Sequence, residues 1–164
     1  MIFLTVGSEF HFDRLVEAVD RLIAESFLSE EVVGQIGYGG YEPQYMNWVP
    51  TMPRGLYAEH IRSANRVISH AGMGTIIQCL LMEKPLLVMP RRGSHPKEHV
   101  NDHQFGTAEK FEKRGSILVA RDTVELSDKI NQLIGFYPVI GAQQSRKAMT
   151  DRINRFLIDL KRRA

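Results

Sequence analysis

The sequence predicts a doubly wound α/β domain built on a mainly parallel sheet of roughly five or six strands. Two observations support this fold class. Along the 164 residues, short apolar runs typical of buried strands alternate with longer segments whose apolar residues recur at helical spacing. Residues 66–104 also contain a strand, a glycine turn, a helix and a second strand, with too few intervening residues for any connection but a crossover. These two strands are therefore expected to pair in parallel.

The individual elements follow from the same apolar patterns. Strands are predicted at residues 1–6, 31–38, 46–49, 66–69, 86–89 and 116–120. Helices are predicted at residues 12–24, 55–64, 75–83, 98–114 and about 143–163, and a further helix starts at a cap residue, Asp122 or Thr123, and ends near Gly135. Glycine and proline residues separate many of these segments, because neither residue favours the interior of a helix or strand.

The composition is that of an ordinary globular protein, with 43% apolar and 24% charged residues. The formal net charge of +2 is too small to indicate a nucleic-acid partner. No apolar run reaches the roughly 18 residues that span a bilayer, and no secretory leader is recognisable. We therefore expect a single cytoplasmic domain over residues 1–164. Cys79 has no second cysteine to pair with and is expected to be buried in a helix.

The turn at residues 70–74 is the strongest candidate for a ligand site. Gly72 and Gly74 permit close approaches that a β-carbon would hinder. The first amides of the following helix, near Gly74, Thr75 and Ile76, are expected to have no intrahelical partner and to lie at the positive end of the helix dipole. Such a terminus can bind a phosphate, and the Thr75 hydroxyl can add a donor. The alternative is that the glycines only make a tight turn between strand and helix.

The motifs of this region differ from the common nucleotide-binding fingerprints. Ile77 stands where G-x-G-x-x-G requires its third glycine, and no P-loop sequence is present. The residues that carry a different resemblance are Ser69, His70, Ala71, Gly72, Gly74, Thr75, Lys84, Pro85, Pro90, Asn101, Asp102, His103 and Gln104. They resemble the C-terminal, nucleotide-sugar-binding domain of family 28 glycosyltransferases, which is the Rossmann-like, donor-binding half of a GT-B enzyme. Within that family the chain is similar to single-domain subunits of the eukaryotic Alg13 type and the bacterial exopolysaccharide PssE and EpsF types.

This resemblance implies the donor-binding catalytic subunit of a two-component inverting glycosyltransferase. Such a subunit transfers a sugar from a UDP-sugar to a lipid-linked acceptor in polysaccharide or exopolysaccharide biosynthesis. An Alg14-like or PssD-like partner subunit, anchored in the membrane, would present the acceptor and hold the chain at the inner face of the membrane. No cofactor and no metal would be required, because helix-terminal amides would hold the diphosphate.

Other functions remain open at this point. A non-catalytic UDP-sugar-binding regulatory subunit is the main alternative. A sugar-nucleotide epimerase is disfavoured, because no tyrosine is followed four residues later by a lysine. The isolated chain is also expected to be capable of forming a homodimer, since a surface that awaits a partner can pair with itself.

Ligands of doubly wound sheets bind beyond the carboxyl ends of the strands. The loops expected there are residues 7–9, 37–40, 70–74 and 90–102. From these loops and the resemblance, the predicted nucleotide-sugar-binding residues are Gly7, His70, Ala71, Gly72, Gly74, Thr75, Gln78, Arg91, Asn101, Asp102, His103 and Gln104. His70 could instead be a plain turn residue, and Asn101 or Asp102 could cap a helix. Gln78 replaces an acidic residue that often binds the ribose in the family.

Several charged residues have less certain roles. Arg91 and Arg92 are either a solvated pair or contacts to a diphosphate or to the carboxylate of a uronic acid donor. Glu9 and His11 are candidate general bases, with loop packing as the alternative. The predicted C-terminal helix is amphipathic and basic, so it either packs on the sheet or docks near a membrane-bound partner.

A metal site was considered at three histidines spaced four residues apart, His95, His99 and His103. Pro96 makes His95 a loop residue, and no H-E-x-x-H sequence is present. No metal site is therefore predicted.

Overall fold

The computed structural model describes residues 1–8, 10–93 and 103–140. Within these residues the strands are β1 (Ile2–Thr5), β2 (Val32–Gln35), β3 (Asn47–Val49), β4 (Arg66–His70), β5 (Leu86–Met89) and β6 (Leu118–Val119). The helices are α1 (Asp13–Ala24), α2 (Arg54–Ser63), α3 (Met73–Leu81), α4 (His103–Glu112) and α5 (Thr123–Ile134). The predicted helix at about 143–163 lies outside the described residues. None of the described helices is both long enough and apolar enough to cross a bilayer.

All six strands pair in parallel, in the order β3-β2-β1-β4-β5-β6. The chain first builds outward from β1 to β3 and then returns to add β4 on the other side of β1. Ile2 of β1 consequently pairs with Val32 on one side and with Arg66 on the other. The order reverses between β1 and β4, and such a reversal opens a crevice at the carboxyl ends of the two strands. The predicted doubly wound, parallel α/β fold is thus confirmed.

Helices cover both faces of the sheet and enclose two apolar cores. On one face, Ile2 and Leu4 of β1 pack with residues of α1 and α5. On the other, Phe3 packs with Ile61 of α2 and Ile76 of α3. Because both faces are buried, a central strand such as β5 is apolar throughout rather than alternating. Full burial of a side chain such as Phe3 contributes about 2–3 kcal/mol.

The helix ends show which local signals were read correctly. Asp122 caps α5, because its carboxylate accepts hydrogen bonds from the backbone N–H groups of Val124 at 2.9 Å and Glu125 at 3.0 Å. Helix α3 begins at Met73, two residues earlier than predicted. Gly72 adopts an extended conformation and its carbonyl accepts the first helical hydrogen bond, from the amide of Ile76 at 3.1 Å.

Candidate functional site

A cavity of about 650 Å³ lies at the carboxyl ends of β1 and β4, where the strand order reverses. Its described lining consists of Val6, Gly7, Ser8, Gln35, Met52, Arg54, Tyr57, His70, Gly72, Gly74, Thr75, Gln78, Arg91 and Gln104. The structure therefore brings together eight of the twelve predicted binding residues. Of the remaining four, Ala71 is only 2% exposed and packs in the core, Asn101 and Asp102 lie outside the described residues, and His103 is the first residue of α4.

His70 lies between two glycines at the mouth of this cavity. A β-carbon on Gly7 would stand 2.8 Å from Cε1 of the His70 ring, and one on Gly72 would stand 2.2 Å from Nε2. Gly7 also has a φ of +81°, which residues with a β-carbon rarely adopt. Both glycines are thus required by the position of the imidazole.

Ser69 determines the orientation of the His70 ring. The Ser69 hydroxyl donates its single proton to the carbonyl oxygen of Thr5 at 2.8 Å. Its oxygen lies 3.2 Å from Nδ1 of His70, so Nδ1 is the donor in that contact. The other ring nitrogen, Nε2, faces Gly72 on the cavity side. The contact with Ser69 therefore holds the imidazole ring in one orientation beside the cavity.

The amino terminus of α3 points its first amides toward the cavity. Met73, Gly74 and Thr75 occupy the first three helical positions, whose N–H groups have no intrahelical acceptor. The sequence placed these amides near Gly74, Thr75 and Ile76, and for Ile76 this is wrong, because its amide bonds to the carbonyl of Gly72. Nothing described lies within 4 Å of the position that a β-carbon on Gly74 would take, so the space beside Gly74 is open. The helix dipole makes this opening favourable for an anion.

One wall of the cavity was missed by the sequence analysis. Met52, Arg54 and Tyr57 come from the loop after β3 and the first turns of α2, and Gln35 comes from the end of β2. The loop after β3 was not among the expected site loops, although residues 46–49 were predicted to be extended. Since β3 is parallel to the other strands, its carboxyl end lies at the same edge of the sheet. The rule that ligands bind at the carboxyl ends of parallel strands would have predicted this wall.

Arg91 is buried, so its interpretation as part of a solvated pair is wrong. The residue is 3% exposed, and its guanidinium donates to the carbonyl oxygen of Val6 at 2.7 Å and to that of Phe10. Its own amide donates to Oε1 of Gln104 at 3.0 Å. Arg91 therefore ties the first loop to the end of β5 and the start of α4. Arg91 and Gln104 both border the cavity.

Arg92 and His11 are not among the described lining residues. Arg92 donates to the carbonyl oxygen of Arg121 at 3.0 Å and packs over the ring of Phe105. Nδ1 of His11 lies 3.0 Å from a carboxylate oxygen of Asp13. Glu9 lies outside the described residues.

The described lining contains positively charged side chains and no negatively charged ones. It includes the guanidinium groups of Arg54 and Arg91 and the imidazole of His70, and it contains no aspartate or glutamate. A cavity bordered by the guanidinium groups of Arg54 and Arg91 and by the positive end of α3 attracts an anion. Among the described residues no group of three or more His, Cys, Asp or Glu side chains is placed to hold a metal ion.

Comparison with known proteins gives both a family and a set of structural relatives. The model of the glycosyltransferase family 28 C-terminal domain matches residues 1–152. Mus musculus UDP-N-acetylglucosamine transferase subunit ALG13 is 31% identical over 125 residues, which are 70% of this chain and 10% of the mouse protein. The chain thus spans only about a tenth of the length of this relative.

Solved structures extend the likeness at the level of fold. The glycotransferase of kitacinnamycin superposes with a TM-score of 0.60 at 19% identity, over 82% of this chain and 34% of that one. Os79 from O. sativa, solved in complex with UDP, superposes with a TM-score of 0.59 at 15% identity, over 82% and 32% of the two chains. The present fold corresponds to about one third of each of these proteins.

Proposed function

This chain belongs to the glycosyltransferase family 28 C-terminal domain family, with the Rossmann-like fold of GT-B enzymes, and on that premise we propose that it is the donor-binding catalytic subunit of a two-component inverting glycosyltransferase. It binds a UDP-sugar and transfers the sugar to a lipid-linked acceptor in polysaccharide or exopolysaccharide biosynthesis. The alternative within the same family is a regulatory subunit that binds the UDP-sugar without transferring it.

The observation that carries this proposal is the meeting of an open helix terminus with a cavity that has cationic and no anionic described side chains. Gly74 and Thr75, whose amides have no intrahelical acceptor, border the same cavity as the imidazole of His70. A diphosphate fits this combination, because several N–H donors and the helix dipole can share its negative charge. The UDP bound by Os79 supports the choice of nucleotide, although that likeness concerns the fold.

The proposed chemistry depends on stabilising the leaving group. As the bond between sugar and diphosphate breaks, negative charge grows on UDP, and donors already in place lower the energy of that state. Fixed backbone amides need no reorganisation and no metal for this step. The acceptor hydroxyl must lose a proton to a general base, for which Glu9 and His11 of the first loop remain the candidates.

The partner is the second part of the proposal. The mouse relative is named as a subunit of its transferase, which supports a two-chain arrangement here. An Alg14-like or PssD-like partner, anchored in the membrane, presents the acceptor and keeps this otherwise cytoplasmic chain at the inner face of the membrane. Residues 143–163, predicted as a basic amphipathic helix, are the proposed contact with that partner or with anionic lipid.

A ligand titration tests the donor assignment. The purified chain is titrated with UDP, UDP-sugars, NAD and ATP, each with and without EDTA, and thermal stability and heat of binding are measured. We expect UDP-selective binding that EDTA does not change. Preference for NAD or ATP, or loss of UDP binding in EDTA, would contradict the proposal.

A transfer assay separates the catalytic from the regulatory subunit. The chain is co-expressed with its membrane partner, and sugar transfer to a lipid-linked acceptor is measured with and without a Gly74→Asp change in this chain. Transfer that requires an intact donor site in this chain supports the catalytic subunit. Transfer that proceeds when this site is blocked would favour the regulatory alternative.

A further inference from the structure

Two hydroxyl groups from different helices meet at the wall of the cavity. The phenolic oxygen of Tyr57 in α2 lies 2.8 Å from the hydroxyl oxygen of Thr75 in α3. Thr75 is only 6% exposed, yet it borders the cavity and occupies the third position of α3, beside the open amides. Tyr57 borders the cavity as well. The contact therefore joins α2 to the anion-binding end of α3.

Each of these hydroxyls has one proton, so the direction of the hydrogen bond matters. If Thr75 donates to Tyr57, the Thr75 proton is consumed within the protein. If Tyr57 donates to Thr75, the Thr75 proton is available to an anion in the cavity. Burial raises the pKa of Tyr57 by more than its hydrogen bonds to Thr75 and Thr5 lower it, so the phenol keeps its proton.

The surroundings of Tyr57 hold its ring in place but do not fix the direction of its hydroxyl proton. The ring packs edge-on against Phe3, with centroids 5.5 Å apart and an interplanar angle of 74°. The hydrogen bond between Tyr57 and Thr75 can therefore run in either direction.

We propose that Tyr57 is a positioning residue for diphosphate recognition, which donates to Thr75 so that Thr75 donates to the bound phosphate. An anion at the terminus of α3 selects this orientation, because it requires the Thr75 proton and leaves the Thr75 oxygen to accept from Tyr57. The role rests on the proposed function, since it assumes a diphosphate at this helix. It adds a residue from α2 that does not touch the phosphate itself.

A double-mutant cycle tests this relay, in which Tyr57 donates to Thr75 and Thr75 donates to the phosphate. Tyr57→Phe removes only the phenolic oxygen, and Thr75→Val removes the hydroxyl with little change of shape. Affinity for UDP is measured for the wild type, both single variants and the double variant. We expect Tyr57→Phe to weaken UDP binding by about three- to tenfold, as for loss of one ordinary hydrogen bond. In the Thr75→Val background the same change should have almost no effect.

Tyr41→Phe is the matched control. The Tyr41 hydroxyl donates to a carboxylate oxygen of Asp20 at 2.9 Å, and Tyr41 is not among the described lining residues. This variant also loses one tyrosine hydrogen bond, but its affinity for UDP should equal that of the wild type. Melting temperatures of all variants confirm folding.

The outcomes separate the relay from the proposed function. A wild type that binds UDP, together with a Tyr57→Phe variant of equal affinity, would overturn the relay alone. Equal losses from Tyr57→Phe with and without the Thr75 hydroxyl would also overturn it. A wild type that does not bind UDP would remove the proposed function and the relay together.

Discussion

The imidazole of His70 lies so close to Gly72 that a β-carbon on this glycine would stand 2.2 Å from Nε2. The backbone of Gly72 has ordinary dihedral angles, φ −76° and ψ 129°, so conformational freedom is not the reason for a glycine here. The glycine is needed because the ring of His70 occupies the space of a side chain.

Substitution of Gly72 by alanine should displace the His70 ring. We expect Gly72→Ala to lower the free energy of unfolding by about 1–3 kcal/mol, as for overpacking of a close contact, and to weaken UDP binding. Urea denaturation and UDP titration measure the two effects. A second change, His70→Ala, should restore much of the lost stability by removing the clash.

Gly55→Ala is the control for this stability effect. Gly55 lies near the start of α2, has no described atom within 4 Å of its missing β-carbon, and has no positive φ. Alanine should leave stability unchanged or raise it by up to about 1 kcal/mol, because glycine is a poor helix former. A loss of stability at Gly55 equal to that at Gly72 would contradict the steric explanation.

A carboxylate at the terminus of α3 should prevent anion binding. Gly74→Asp places a negative charge beside the open amides, and we expect loss of UDP binding of at least about a hundredfold with an intact fold. Calorimetry gives the affinity, and circular dichroism verifies the fold.

The matched variant for this test is Gly55→Asp. Gly55 and Gly74 are each the second residue of their helix, and neither has a described atom near its β-carbon position. Gly55 does not border the cavity in the described lining. UDP binding should survive in Gly55→Asp, and the placement of the phosphate would be wrong if the two aspartates had equal effects.

Loss of the Arg91 guanidinium should destabilise the first loop. Arg91→Met leaves the carbonyl oxygens of Val6 and Phe10 without this donor, and we expect a loss of about 2–4 kcal/mol in the free energy of unfolding. Arg21→Met is the control, because the Arg21 side chain is 65% exposed and should contribute about 0.5 kcal/mol or less. Similar denaturation midpoints for the two variants would refute the structural role of Arg91.

Cys79 should be unreactive in the folded protein. Burial raises the pKa of its thiol to about 12, and only the thiolate reacts rapidly with alkylating reagents. At pH 8 we expect labelling by iodoacetamide to be at least tenfold slower than in the urea-unfolded chain. Equally fast labelling of both states would show that the thiol is accessible.

The same thiol predicts a dependence of stability on alkaline pH. Its folded pKa lies above the unfolded value near 9, so the folded state holds the proton more tightly. The contribution is therefore intact below pH 9 and is lost as the pH rises toward 12. Comparison of the wild type with Cys79→Ala should show a steeper loss of stability between pH 9 and 11 in the wild type.

Much of the local structure could be predicted from apolar patterns. The strand Leu86–Met89 has the predicted bounds, and Asp122 was one of two predicted caps. The glycine turn after β4 was recognised from its residues, because a buried strand, two glycines and an apolar helix leave few alternatives. The start of α3 was misplaced by two residues, since hydrogen bonding of Gly72 to Ile76 leaves no mark in the sequence.

Neighbouring arginines show where sequence patterns stop being informative. Arg91 and Arg92 are adjacent and chemically identical, yet one is buried against the first loop and the other packs over Phe105. Only the position of β5 inside the sheet decides which side chain points inward. The wall formed by α2 was missed as well, because its contact with α3 joins residues that are 18 positions apart in the sequence.

The sequence by itself determined the parallel α/β fold, the turn that exposes helix amides, and the family. These depend on residues that are close together in the chain. The tertiary structure decided the contacts that shape the site, such as Arg91 with Val6 and Tyr57 with Thr75. Such partners meet only after the crossovers place distant strand ends at one edge of the sheet, and hydrogen-bond geometry depends on that placement rather than on local sequence.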